Sequence, residues 1–419
     1  MSDNRLTQKN KISQLSLLLR KGYYDKQQDT SEDYSVPYGH DGKMTESIGA
    51  WPEFILKGTF CKRSQKGLCS PCFYSRFPLS KDNRAEYLDM VKKQVSYITD
   101  DFDALVVKRQ YGYGSNSSSS ASLVITPTGS YFDEFEFPLD IRVEMERKLV
   151  EFSESQNMDI HLHIESHCDD FLSYDISAED NKRELDLLRK LNTKIIFGFE
   201  SADEYARNVI YNKNLSLLNF EAAIDKVKAV GLIPGAFVFA GLFAYNDAQT
   251  HSDVISTVKY LINNYTFPVI MFQNNQPYTI SDVLLKHGEI KLLEPRTLAW
   301  IVADVLALLQ QHPSYWLIAD PIGGPPEPDC HIFREPKYTC TLCSETIYKS
   351  LVELRTTRDI DSFLRSFEKS KQCECYQEYM TYIQSLPTDY GSSVKIVDRL
   401  LNVCQEKIQP YLIPIGGNK

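Results

Sequence analysis

Short β-rich runs alternate with helix-length amphipathic stretches through the first two thirds of this chain, and that alternation narrows the fold more than any other feature. EFILKGTF (53–60), ALVVK (104–108), ASLVITP (121–127), IHLHIES (160–166), KIIFGFE (194–200) and GAFVFAGL (235–242) read as strands. Between several of them lie IRVEMERKLVEFSESQ, KRELDLLRKL and NFEAAIDKVKAVG, with apolar residues at helical spacing and a stop signal at Gly231. Strands alternating with helices predict βα units, a mostly parallel sheet and a covering layer of helices.

At 419 residues the chain exceeds one ordinary domain. Residues 1–50 read as a polar N-terminal arm in which ISQLSLLLRK (12–21) docks as a short helix. Residues 51–328 form the βα body, with YGYGSNSSSS (111–120) as a flexible insertion and Arg296 to Gln311 as a long helix. A turn rich in proline and glycine, DPIGGPPEPDC (320–330), leads into a cysteine-rich, largely helical module over 329–419. No apolar run approaches the roughly 20 residues of a membrane span, and the polar start lacks a secretory core, so a cytoplasmic protein without membrane partners is expected. A net charge of −10 counts against a broad nonspecific nucleic-acid footprint.

Ten cysteines without an export signal point to metal or redox use rather than to a disulfide framework. Cys61, Cys69 and Cys72 stand in CKRSQKGLCSPCFYSRF, just after a strand-like run. Three thiolates are one short of a closed tetrahedral site, and on an iron–sulfur cubane they leave one iron with an open position. In TPTGSYFDEFEFP (126–138), Gly129 and Ser130 bring backbone N–H groups and a hydroxyl to a strand end. Glu165 and Glu200 each close an apolar strand and precede a serine, either as surface acids or as groups at the mouth of a sheet. His161 and His163 share one face at period two, where ordinary buried histidines outweigh a metal pair. Cys340 and Cys343 form C-x2-C, and Cys373 and Cys375 form C-x-C about thirty residues on. That pattern fits a second closed site for Zn²⁺ or an auxiliary iron–sulfur cluster, with Cys330 and His331 as spare ligands.

The triple-cysteine loop, the Gly-Ser turn, Glu165-Ser166 and GFES (198–201) occur in an order that resembles the radical S-adenosylmethionine (SAM) enzymes. The pieces GSYFDEFEFP, IESHCDDF, GFESADEYARNVIYNKN, NQPYTISDVLLKHGEI, DPIGGPPEPDC and the late CEC resemble more closely the archaeosine-type, elongator-like branch, from about Trp51 to Tyr379. The gap between Cys61 and Cys69 departs from the common C-x3-C-x2-C spacing of that superfamily. The resemblance implies an α/β fold, a partial (βα)6-type barrel, with Cys61, Cys69 and Cys72 holding a [4Fe–4S] cluster. It places Gly129 and Ser130 near the methionine end of SAM and lines the mouth with Glu165 and Glu200. It implies reductive cleavage of SAM to a 5′-deoxyadenosyl radical, hydrogen abstraction from a substrate, and a flavodoxin- or ferredoxin-type electron donor. The substrate so implied is a lysine-modified 7-deazaguanine in tRNA, and a small natural-product precursor is the alternative that the acidic charge favours. A zinc-binding interaction protein without catalytic activity is the rival outside that class.

Overall fold

A computed structural model describes residues 3–27, 53–56, 61–70, 84–100, 120–127, 129–273, 278–311, 322–323, 336–357, 359–388 and 391–412. Among the described residues seven strands make one sheet: β1 (Glu53–Leu56), β2 (Ser120–Pro127), β3 (Asp159–Ser166), β4 (Lys194–Glu200), β5 (Ile233–Ala240), β6 (Phe267–Phe272) and β7 (Ile322–Gly323). Every neighbouring pair is parallel and the order across the sheet follows the order in sequence. Parallel neighbours need crossovers, and helices supply them at Leu139–Gln156, Glu179–Lys190, Leu217–Ala229 and Asp247–Asn263. The expected fold class, an α/β partial barrel with a cysteine-rich helical C-terminal part, is the one observed. ALVVK lies outside the described residues, whereas FPVIMF, not singled out by its sequence, is β6.

Period two sorts the strand residues into two environments. Ile125, Leu162, Ile164, Phe197, Phe199, Val238 and Ile270 join the helices in the main core. The intervening positions face the concave side, where Ile196, Phe267 and Val269 form a small separate cluster. Gly235 makes room there, since a Cβ on it would stand 2.3 Å from Phe267 Cζ. Across the same face His163 is buried, with Nε2 3.4 Å from Lys194 Nζ. Among the described residues, neither His161 nor His163 joins a group of three or more metal-ligating side chains.

The N-terminal helix runs Asp3–Gln27, well beyond the expected docking piece. Its Ile12, Leu15 and Leu19 are buried in a second core with Val397, Leu400 and Leu401 of the C-terminal helix Gly391–Lys407. The helix pair Thr341–Thr357 and Ile360–Ser370 contributes Ile347, Leu351, Phe363 and Phe367 to the main core. No described helix is long and apolar enough to cross a membrane.

A buried ionic network ties two of the outer helices to the turn after β2. Arg142 donates to Glu184 Oε1 at 2.5 Å and to Glu134 Oε1 at 2.8 Å, and Tyr174 donates to Glu184 Oε2 at 2.5 Å. Arg142 and Glu184 are both fully buried, so removing one charge strands the other. Arg142→Ala is expected to destabilise the chain by about 3–5 kcal/mol. Denaturant unfolding checks this, and the paired change Arg142→Met with Glu184→Leu should cost clearly less.

Candidate functional site

The residues singled out by sequence converge on the C-terminal edge of the parallel sheet, where α/β folds carry their ligands. The cysteine loop follows β1, Gly129–Ser130 follow β2, Glu165–Ser166 end β3, Glu200 ends β4 and Gly241 follows β5. Cys61 and Cys69 are both buried thiols. Cys72 lies outside the described residues.

One 3-10 turn, Ser64–Lys66, is the loop's only regular piece among residues 61–70, so its polar backbone needs partners from elsewhere. Arg20 of the N-terminal helix donates to Ser64 O at 2.7 Å, Leu68 O at 2.9 Å and Cys69 O at 2.8 Å. Cys69 N and Ser70 N donate to Asn212 O and Tyr211 O at 3.2 and 3.0 Å. Asn212 Nδ2 reaches Gly67 O at 2.9 Å. Gly67 has φ +70°, and a Cβ there would meet Ser13 O at 2.4 Å, so glycine is required. Arg63 donates to Lys213 O and Asp169 Oδ2, both at 2.5 Å, and Lys62 bonds Asp170 and sits 3.2 Å from Asp133. CDD in the segment IESHCDDF is therefore the counter-charge to CKR in the loop. The complementary signs were in the sequence, but nothing local announced the pairing.

Ser130 is fully buried and its hydroxyl is occupied. It lies 2.9 Å from Ser166 Oγ and accepts from His167 N at 3.0 Å, joining the ends of β2 and β3. Ser130 N donates to Glu136 Oε2 at 3.0 Å. A Cβ on Gly129 would stand 2.1 Å from Glu136 Oε1, so the glycine leaves space for that carboxyl. Burial, with Asp133 adding to it, pushes the Glu136 carboxyl up to about 8. His167, beside Cys61 at 3.9 Å, is pushed down to about 4 by burial. Glu165 is half-buried on the concave face, and its carbonyl accepts from Tyr131 N at 2.9 Å.

Glu200 adopts φ +70°, uncommon for any residue with a Cβ. It accepts from Lys213 Nζ at 2.8 Å, and a Cβ on Gly198 would stand 2.7 Å from that ammonium. Burial alone would lower the Lys213 pKa, but Cys69 and Glu200 outweigh it and the ammonium is held above its ordinary value. Nothing in the sequence assigned Lys213 a role, and the structure places this cation among the site's acids and thiols. Next to Cys69 in sequence, Ser70 lines a small cavity of about 10 Å³ together with Tyr211, Phe239, Gly241, Gln273 and Ser281. Gly241 has φ +129°, and a Cβ there would meet Gln273 Cβ at 2.4 Å.

No protein-family profile matches the chain, and no curated protein matches it. Its structure is similar to several solved chains, some of them described as radical SAM enzymes. Coproporphyrinogen III oxidase (HemN) from Escherichia coli is 14% identical over 58% of this chain and 50% of its own, with a TM-score of 0.36. The radical SAM methyltransferase TsrM from Kitasatospora setae, with cobalamin and a [4Fe–4S] cluster bound, is 11% identical over 57% and 40%, with a TM-score of 0.32. Native anSMEcpe with bound AdoMet is 12% identical over 84% of this chain and 96% of its own, with a TM-score of 0.33. The match thus spans half or less of the first two chains. Likeness at this level transfers no residue roles, and the functional reading rests on this chain's own site.

Two measurements probe the site's supports. Arg20→Ala leaves three loop carbonyls short of a charged donor, a loss of about 1.5–3 kcal/mol in the loop's closed state. Thiol labelling of the native protein should then speed up roughly tenfold or more at Cys69, and an unchanged rate would show that Arg20 does not hold the loop. Just after β4, Ser201 donates to Asp253 Oδ1 at 2.6 Å, and burial raises the Asp253 carboxyl from 3.8 to about 7. Between those values the folded chain binds a proton that the unfolded chain does not, so Asp253 makes stability fall as pH rises through that window. Asp253→Asn keeps an acceptor for Ser201 and should flatten this part of the stability–pH curve, as thermal unfolding from pH 4 to 8 would reveal.

Proposed function

We propose that the chain is a radical SAM enzyme whose [4Fe–4S] cluster is held by Cys61, Cys69 and Cys72. The observation that carries this reading is the gathering of Cys61, Cys69, Gly129, Ser130, Glu165 and Glu200 at one edge of a parallel sheet. The donor set fits the group: the two described cysteines are buried thiols, and Arg63 and Lys213 nearby offset thiolate charge. When bound there, cluster and SAM supply a one-electron reductive cleavage that yields a 5′-deoxyadenosyl radical.

The protein's own groups bind and shield. Lys213, anchored by Glu200, places a fixed positive charge beside Cys69, which favours accepting an electron at that side of the site. Ser130 holds the shape of the Gly129–Ser130 turn by linking the ends of β2 and β3. Glu165 is an acceptor on the same face for an amine or a ribose hydroxyl. Tyr211, Phe239 and Phe243 line the small cavity beside Ser70, where their rings help to keep water from the mouth of the site. An electron donor of the flavodoxin or ferredoxin type completes the scheme.

For the substrate we favour a lysine-modified 7-deazaguanine in tRNA, on the strength of the ordered segments from GSYFDEFEFP to CEC. The net charge of −10 supports a small natural-product precursor as the second reading. Anaerobic reconstitution with iron and sulfide, followed by dithionite and SAM, should yield a cluster and 5′-deoxyadenosine. Cys69→Ser should abolish both, and failure of the unaltered protein to take up iron would leave the non-catalytic zinc reading in its place. Salt-sensitive binding of bulk tRNA would support the RNA substrate, and no binding at low salt would favour the small molecule.

A further inference from the structure

The helices Thr341–Thr357 and Ile360–Ser370 follow each other in sequence and pack together, so the end of the pair away from their connection carries Cys340 and Cys343 on one arm. Cys373 and Cys375 come after the other arm, and Cys375 begins the helix Cys375–Ser385. Their four Sγ atoms all lie within 4.8 Å of one another. Cys340 and Cys373 are 3.8 Å apart and Cys373 and Cys375 are 3.5 Å apart, too far for a disulfide. Four thiolates around one Zn²⁺ at 2.3 Å stand about 3.8 Å from each other, the edge of the tetrahedron. A cubane spreads its thiolates over four irons outside the sulfide faces and holds the sulfurs much further apart.

We propose that Cys340, Cys343, Cys373 and Cys375 bind a single tetrahedral Zn²⁺ and that this ion staples the open end of the helix pair to the barrel. Four thiolates leave no open position, so the site is structural. A zinc with four thiolates carries a net negative charge, and the surroundings answer it. Arg296, buried at the start of the barrel helix Pro295–Gln310, donates through Nη2 to Cys375 Sγ at 2.9 Å and through Nη1 to Ser370 Oγ at 3.2 Å. Next to it, Glu294 accepts from Lys337 N at 2.8 Å, Tyr338 N at 3.2 Å and Thr339 Oγ1 at 2.9 Å, fixing the segment that delivers Cys340. The start of one barrel helix thus grips both the approach to the site and one of its sulfurs. Cys330 and His331, the spare ligands, lie outside the described residues and are not needed by a four-thiolate shell.

The site is independent of the radical chemistry, and its test is read separately. Full-length protein purified in air should carry one zinc per chain, retained through anaerobic loading with iron and sulfide. Cys340→Ser with Cys373→Ser should lose that zinc while the iron taken up by the unaltered protein is not reduced by more than the error of the assay. A second increment of iron and sulfide in place of zinc would overturn the proposal, as would the absence of any metal. Should the double variant fail to fold, Cys61→Ser with Cys69→Ser, loaded with Co²⁺, reports on the C-terminal cysteines without a contribution from those two. Intense thiolate charge transfer with tetrahedral ligand-field bands is expected, and a weak octahedral spectrum or none would sink the assignment. Iron uptake that fails while zinc remains would count against the proposed enzyme and leave the zinc site standing.

Discussion

The grip of Arg20 on three carbonyls of the cysteine loop is the interaction on which the arrangement of the site depends. An irregular loop cannot satisfy its own backbone, and buried carbonyls without donors are costly. A guanidinium is suited to the task because its fork offers several donors in one plane. On the opposite side the amides of Cys69 and Ser70 are taken by Asn212 and Tyr211. The loop is thus held between the N-terminal helix and the segment after β4, and neither contact comes from the strand that precedes it.

That second support does two jobs at once. Ala206–Ile210 forms a π-helical turn, which inserts extra backbone into a helical path and re-aims the residues after it. Asn212 and Asn214 then take positive φ, at 53° and 51°, where asparagine is the best tolerated residue after glycine. The result turns the carbonyls of Tyr211 and Asn212 toward the cysteines and sends Lys213 over Gly198 to Glu200. Loop position and local charge therefore come from the same three residues.

The sheet was largely legible because parallel strands covered by helices are nearly continuous apolar runs, and KIIFGFE and GAFVFAGL announce themselves. β6 was harder: FPVIMF opens with an aromatic and a proline, and Pro268 is admissible only near a strand's first residue. The mouth was legible as positions but not as contacts. Glu200 stood out at a strand end, yet its partner lies thirteen residues on and reaches it only through the π-turn. Ser130 stood out at a strand end, but its links to Ser166 and His167, which join the ends of β2 and β3, were not legible. Arg20 gave no signal, since a lone arginine on an amphipathic helix is ordinarily a solvated charge.

The ends of the chain belong to the same physical problem. Ile12, Leu15 and Leu19 pack with Val397, Leu400, Leu401 and Ile408 against Tyr205, Ile210 and Tyr211. Burial of each such side chain is worth about 1.5–3 kcal/mol, and here that energy falls on the π-turn that carries Lys213. Gln8 adds a polar clasp, donating to Val394 O at 2.9 Å and Asp398 Oδ1 at 2.8 Å while accepting from Tyr205 at 2.8 Å. Cys404 sits inside this second core, and burial pushes its thiol up to about 12, as it does for Cys168 in the main core. A thiol so held stays protonated and behaves as a small apolar side chain. The isolated cysteines thus fill space, whereas Cys375 accepts from Arg296 at 2.9 Å, and its hydrogen bonds hold the thiol below its ordinary value.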